Sequence, residues 1–228
     1  MKLSQERSRQ TREQILAAAR ALFAVQGFEQ TSIDQVAAGA KVAKASVFAH
    51  FGDKTNLLAA LGLAEIEAIS ARSRGLAAAA IAGPLGREQI DPEPLDPEPL
   101  DKVIHRLLSP WLDYFGADPA FARLYLSQSG LGAGPFTERF LSICHELEGL
   151  VATLIRTTLP ACDDARATML SRGIQALLHE VMVYRLSGWT PDAAAARAML
   201  GDFLTVWIAG ATASVDASVS ASGGTSSA

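Results

Sequence analysis

Lys41, Lys44, Ser46, His50 and Lys54 crowd one short stretch of the chain. Three ammonium groups, a hydroxyl and an imidazole at this spacing suit phosphate and base edges. Lys44 can meet phosphate or guanine, and Ser46 can donate or accept at either. Lys54 stands where a further helix begins, so its charge and the helix-start amides both favour phosphate. His50 is read either as a phosphate partner or as a capping or core histidine. Nothing comparable suggests catalysis. The four histidines are His50, His105, His145 and His179, and none falls in an HExxH or CxxC-type pattern. Cys144-His145-Glu146 is a compact triplet. Adjacent helical residues point about 100° apart, however, and cannot converge on one ligand. Gly130-Leu131-Gly132-Ala133-Gly134 has no strand before it and reads as a plain loop, not a nucleotide cradle. An enzyme is therefore not expected, nor a cofactor or metal.

Those cations need a scaffold, and the neighbouring residues supply one. Thr31 and Ser32 are good N-cap residues. Ile33, Val36 and Ala37 then fall on one helical face. Gly39-Ala40-Lys41 breaks the run, and Val42 is placed to plug the angle that follows. A second run puts Val47 and Phe51 on a shared buried face, leaving Lys44, Ser46, Phe48 and His50 on the other sides. Two short helices about a tight turn form a helix-turn-helix, whose second helix enters a DNA major groove. Ahead of it, Thr11–Gln26 reads as a helix with Ile15, Leu16, Ala19, Leu22 and Phe23 as its apolar stripe. Gly27 suits a left-handed position after that helix, and Phe28 the hydrophobic contact beyond it. Residues 1–8 read as a mobile polar arm, with Arg7 and, next to it, Arg9 as candidates for a DNA groove or backbone.

From about residue 9 to residue 60 the segment resembles the DNA-binding domain of the TetR/AcrR family of bacterial transcriptional regulators. The matching words are Leu22-Phe23, Gly27-Phe28, Thr31-Ser32-Ile33, Val36-Ala37, Val42-Ala43-Lys44, Val47-Phe48, His50-Phe51, Lys54 and Leu57-Leu58. The resemblance implies DNA contacts at Lys44, Ala45, Ser46, Phe48, His50 and Lys54, with Thr31 or Ser32 at a helix start facing phosphate. Three positions depart from the family pattern, which usually has glycine at Lys41, a polar cap such as serine at Ala43, and tyrosine at Phe48. Phe48 has no hydroxyl for a phosphate and is left to touch a thymine methyl or to pack. Lys41 is a candidate to supply the missing phosphate contact.

Hydrophobic residues make up 49% of the 228 residues and charged residues 19%. Alanine and leucine dominate, and alternating β-branched clusters are absent, which points to an all-α chain of about nine helices. The net charge of −4 divides unevenly. Residues 1–54 carry eight basic and five acidic side chains, net +3; the remainder carries twelve and nineteen, net −7. Only the N-terminal end is thus suited to phosphate. No apolar run approaches the ~18 residues of a membrane span, and the first residues show no signal-peptide core. A cytoplasmic location, with Cys144 and Cys162 as reduced buried thiols, is expected.

The organisation expected is a helix-turn-helix domain over 1–54 (motif about 32–51), an effector-binding and dimerisation domain over 55–215, and a disordered tail over 216–228. A long helix from about Lys54 to Ala80 leads out of the first domain; in the resembled family it links effector pocket to DNA-reading head. An acidic, proline-rich linker spans 83–100, in which Asp91-Pro92-Glu93-Pro94-Leu95 is repeated as Asp96-Pro97-Glu98-Pro99-Leu100. Proline at nearly every second position forbids helix and central strand. Trp111, Tyr114, Phe115, Tyr125, Phe140, His145, His179 and Tyr184 are the candidates for lining a pocket for a small hydrophobic effector. In Gly188-Trp189-Thr190-Pro191, Thr190 is the expected N-cap of the last helix. That helix has a stripe too wide for one neighbour to cover. Leu177, Val181, Leu200, Phe203, Leu204, Trp207, Ile208 and Ala211 are accordingly assigned to a homodimer interface, which the resemblance also implies. The expected function is that of a sequence-specific, DNA-binding transcriptional repressor released from its operator by a small molecule. The alternative is a small-molecule-binding or enzymatic helical protein that has lost DNA binding.

Overall fold

The computed structural model describes residues 2–83, 98–129, 134 and 136–223. Among these the regular elements are all helices: α1 Lys2–Gln30, α2 Ile33–Ala40, α3 Lys44–Phe51, α4 Lys54–Ala82, α5 Leu100–Ala117, α6 Pro119–Ser129, α7 Thr137–Thr158, α8 Asp164–Leu186 and α9 Ala193–Gly223. None of the described helices is long and apolar enough to cross a membrane. Most of the Asp-Pro-Glu-Pro-Leu repeat and of the expected glycine loop lies outside the described residues.

The chain divides into two compact units, Met1–Ile66 with Ala120–Phe140, and Glu67–Pro119 with Leu141–Ala228. The first unit is larger than a 1–54 head, because the first turns of α4 are part of its core. Ile15 and Ala19 of α1, Val36, Ala37 and Ala40 of α2, Val47 and Phe51 of α3, and Leu57, Ala60 and Leu61 of α4 are buried together. Phe136 packs against the same cluster. In this unit Phe121, Tyr125 and Phe140 form an edge-to-face group, with Tyr125 and Phe140 centroids 5.5 Å apart, a geometry that suits aromatic quadrupoles. Phe121 approaches α4 at Gly62, where a side-chain carbon would come within 2.0 Å of the ring.

In the second unit α5, α8 and α9 pack on one another. Val103, Ile104, Leu107, Leu108, Trp111, Leu112 and Phe115 line the buried face of α5. Trp111 Nε1 donates to Ser73 Oγ at 3.1 Å, and Ser73 Oγ donates to Leu107 O at 3.2 Å, so these two buried polar groups are paired. On α8, Ser171 Oγ and Gln175 Nε2 donate to Glu148 O and Cys144 O of α7, each at 2.7 Å.

Several local expectations differ from the structure. Residues 2–8 are not an irregular arm: α1 is helical from Lys2, and Arg9 is held between Glu6 at 2.5 Å and Glu13 at 2.7 Å on neighbouring turns. The cap of α9 is Asp192, whose Oδ1 accepts from Ala195 N at 2.8 Å; Thr190 is buried instead. The backbone stays helical to Gly223, past the end expected near Val215. Cys162 lies buried in the α7–α8 turn and Cys144 is half-buried on α7.

Gly62→Ala is expected to cost about 1–3 kcal/mol, because the added methyl would overlap the fully buried Phe121 ring. Urea unfolding of the full chain checks this, and an unchanged midpoint would contradict the close approach.

Candidate nucleic-acid interface

The helix-turn-helix is held by polar contacts at its ends. α1 breaks at Gly27, whose φ of 83° and ψ of 163° lie in a region that essentially only glycine occupies. The break brings Thr31 beneath the helix end. Thr31 is buried, donates through Oγ1 to Gly27 O at 2.7 Å and accepts from Gln26 Nε2 at 3.1 Å. Its hydroxyl is consumed inside the head, so Thr31 does not face phosphate. Ser32 is the cap of α2. Its Oγ accepts from Gln35 N at 3.2 Å while Gln35 Oε1 accepts from Ser32 N at 2.8 Å, a reciprocal capping box. Gln26 Nε2 also donates to Gln35 Oε1 at 3.1 Å. Sequence reasoning passed over Gln35, although Ser-x-x-Gln at the start of an apolar run is a capping signal in its own right.

Lys41 ends α2 in the left-handed conformation, at φ 57° and ψ 40°. Lys41 N donates to Ala38 O at 3.1 Å and Val42 N to Ala37 O at 3.0 Å, the paired bonds of a Schellman motif. Val42 then packs on the core between α2 and α3, as its apolar character suggests. A residue with a Cβ at this φ costs about 1–2 kcal/mol that glycine would avoid. Ala43 caps α3 without a side-chain bond.

On α3, Val47 and Phe51 are buried, and Arg12 lies 5.0 Å over the Phe51 ring. Lys44, Ala45, Phe48 and Ala49 are exposed, and Ser46 and His50 are half-buried. Phe48 keeps 45% of its surface in water. The imidazole of His50 lies 6.3 Å from the Phe51 ring, centroid to centroid. Two lysines are engaged. Lys44 Nζ pairs with Asp34 Oδ2 of α2 at 2.9 Å, both groups exposed. Lys54 Nζ donates to Phe28 O at 2.9 Å and to Glu29 O at 3.3 Å, and stands 4.3 Å over the Phe28 ring. Lys54 therefore closes the end of α1 rather than reaching outward. Asp34 is a residue that sequence reasoning missed; only the turn at Lys41 brings it to Lys44.

The candidate pocket residues divide between the two units. Tyr125 and Phe140 belong to the aromatic group of the first. In the second, Trp111 and Phe115 are fully used by the core, and Tyr114 is half-buried with its ring 5.9 Å from Phe115. His145 is exposed, which removes it from an enclosed lining. His179 is half-buried, and burial lowers its pKa. Tyr184 stacks on the exposed Trp189 at 5.7 Å and 14°.

The residues assigned to a dimer interface are mostly covered by helices of the same chain. Val181, Leu200, Leu204, Ile208 and Ala211 are buried within the subunit, and Leu177 and Phe203 are half-buried. The wide stripe of α9 is covered by two helices of its own chain, α5 as well as α8. What stays outside is Met169, Ala176 and Val183 along α8, and Val206, Trp207, Ala209, Gly210 and Ala213 along α9. Among the described residues no cluster of three or more His, Cys, Asp or Glu could hold a metal.

Lys41→Gly is expected to raise the unfolding free energy by about 0.5–1 kcal/mol, the relief of φ strain less the added freedom of the unfolded chain. Denaturant titration measures it, and a loss of stability would contradict the strained turn.

Residues 15–61 match the family model described as bacterial regulatory proteins, tetR family. A TetR-family regulator from Pectobacterium atrosepticum superposes with a TM-score of 0.61 at 22% identity, over 88% of this chain and 93% of that one. Thermus thermophilus FadR, a TetR-family transcriptional repressor in complex with lauroyl-CoA, gives 0.60 at 18%, over 86% and 93%. The fatty acid degradation regulator FadR from Bacillus halodurans gives 0.54 at 15%, over 85% and 94%. No curated protein matches the chain. The family match is confined to the N-terminal segment, and beyond it the chain has the all-helical fold of these regulators in common with them.

Proposed function

We propose that this chain is a homodimeric transcriptional repressor that places α3 in a DNA major groove and leaves its operator when a small hydrophobic effector binds. The observation that carries the reading is the outer face of α3, where Lys44, Ala45 and Phe48 project beside Ser46 within the family-matched segment. The charge distribution supports it, since the excess of basic residues is confined to the N-terminal end. Ser32, Lys41, Lys44 and Ser46 are the proposed polar contacts. Lys44 exchanges its exposed partner Asp34 for phosphate or guanine, a swap made cheap by the small worth of surface ion pairs. His50 lies at the far end of α3, where phosphate is its proposed partner.

Two heads must be held at half-sites about one helical turn apart, ~34–36 Å. The exposed apolar stripes of α8 and α9 are the proposed dimer surface. Met169, Ala176 and Val183 recur at heptad spacing, and Val206, Ala209, Gly210 and Ala213 share one face of α9. Small residues there let a partner helix come close, in the manner of a four-helix bundle. The effector is proposed to be hydrophobic, in keeping with the aromatic and aliphatic character of the helices beyond the head and with the acyl-CoA bound by the Thermus protein of like fold. It must bind the DNA-free arrangement about 5.5 kcal/mol more tightly to carry the population from mostly bound to mostly free.

A gel shift against DNA flanking its own gene tests the reading, and a chain that retards no sequence preferentially would overturn it. Lys44→Ala should lower the slope of log K against log salt by about 0.9 per head. Lys54→Ala should leave that slope alone and cost about 1 kcal/mol of stability; the reverse pattern would return Lys54 to the DNA face.

Val206, 75% exposed, contributes little to its own subunit. Val206→Glu should therefore leave the helical content intact and give monomers in sedimentation at micromolar concentration. A dimer that survives the change would move the interface elsewhere.

A further inference from the structure

The reading face of α3 is short of hydrogen-bonding groups. Its sequence, Lys44-Ala45-Ser46-Val47-Phe48-Ala49-His50-Phe51, contains no arginine, asparagine or glutamine, the side chains that make bidentate bonds to guanine or adenine. Lys44 is the one long donor, and Asp34 holds it at 2.9 Å. Ser46 is half-buried and short. The residues that stand out are apolar. Phe48 and Ala49 follow Ala45 by three and four residues, which makes each a neighbour of Ala45 on the helix surface, and all three are exposed. Phe48 leaves nearly half of its ring surface in water while Val47 and Phe51 beside it fill the core. In the major groove the thymine C5 methyl is the apolar feature that distinguishes one base pair from another. A phenyl ring flanked by two alanine methyls has the shape and polarity to cover such methyls, and it cannot bond phosphate.

We infer that α3 reads its half-site chiefly through thymine methyl groups, with Phe48 as the specificity-determining side chain and Ala45 and Ala49 completing the apolar face. This rests on the reading that α3 enters a major groove. The consequence is an operator whose half-sites carry thymine under Phe48. Guanine contacts are secondary there, because Lys44 is the one long donor that α3 carries.

The test begins with selection of duplexes from a randomised pool by the full-length chain. Each thymine of the selected half-site is then replaced in turn by deoxyuridine, which removes the methyl and keeps the pairing. At one or more positions binding should weaken roughly fourfold, the worth of one buried methyl. That sensitivity should vanish in Phe48→Ala while the helical content and melting temperature stay close to those of the parent. Half-sites without thymine, or deoxyuridine duplexes bound as tightly as the parent by the unmodified protein, would overturn the inference and leave the regulator reading intact. So would a methyl dependence that persists in Phe48→Ala. A pool in which no sequence is enriched would overturn the regulator reading, and this inference with it. The deoxyuridine series on the unmodified chain stands even if Phe48→Ala fails to fold.

Discussion

The ammonium of Lys54 ties the start of α4 to the end of α1, accepted by Phe28 O and Glu29 O and lying over the Phe28 ring. A helix end leaves carbonyls without intrahelical partners, and a cation is the natural group to meet them. Because α4 starts there, Leu57, Ala60 and Leu61 reach the core that α1, α2 and α3 build. Gly27 makes the arrangement geometrically available by turning the chain sharply. Thr31 and Gln26 satisfy the backbone and side-chain polar groups that the turn would otherwise bury unpaired.

The orientation of α3 depends in turn on Lys41. A Schellman closure at a left-handed residue redirects the chain, and Val42 then drops into the angle between α2 and α3. The same geometry brings Asp34 to Lys44. The positions at which this head departs from the pattern of the family it resembles are therefore connected in space. A lysine takes the strained turn position, the lysine after it is held by a carboxylate, and the exposed ring of α3 has lost its hydroxyl. The last of these makes the outer face of α3 less polar, and the proposed readout by methyl groups rests on that change.

In the second unit the limiting constraint is coverage. α9 presents more apolar surface than α8 alone can hide, and α5 takes the other side. His105 Nε2 lies 2.9 Å from Arg197 O, and Asp113 pairs with Arg197, which fixes the two helices in register. Once both sides are covered, the apolar residues left in water include two lines, Met169, Ala176 and Val183 on one helix and Val206, Ala209, Gly210 and Ala213 on the other. Lines of small and aliphatic residues are what a partner helix can seat against.

The residues by themselves determined a good deal. The all-helical class, the family-matched segment, the capped start of α2, the buried pair Val47 and Phe51, and the confinement of positive charge to one end all follow from local rules of periodicity, capping and composition. These signals act within one or two helical turns, so they can be read along the chain. Tertiary structure decided what each side chain is free to do. Lys54 was legible as a cation at a helix start, but its partner Phe28 lies 26 residues away and claims it. Lys44 meets Asp34 across a turn, and Thr31 spends its hydroxyl beneath α1. Val181, Leu200, Leu204, Ile208 and Ala211 read as one stripe, and only the placement of α5 shows that they belong to the subunit's own core. Periodicity states that a face must be covered. Which element covers it depends on contacts between distant segments, and those are settled by the packing of the whole unit.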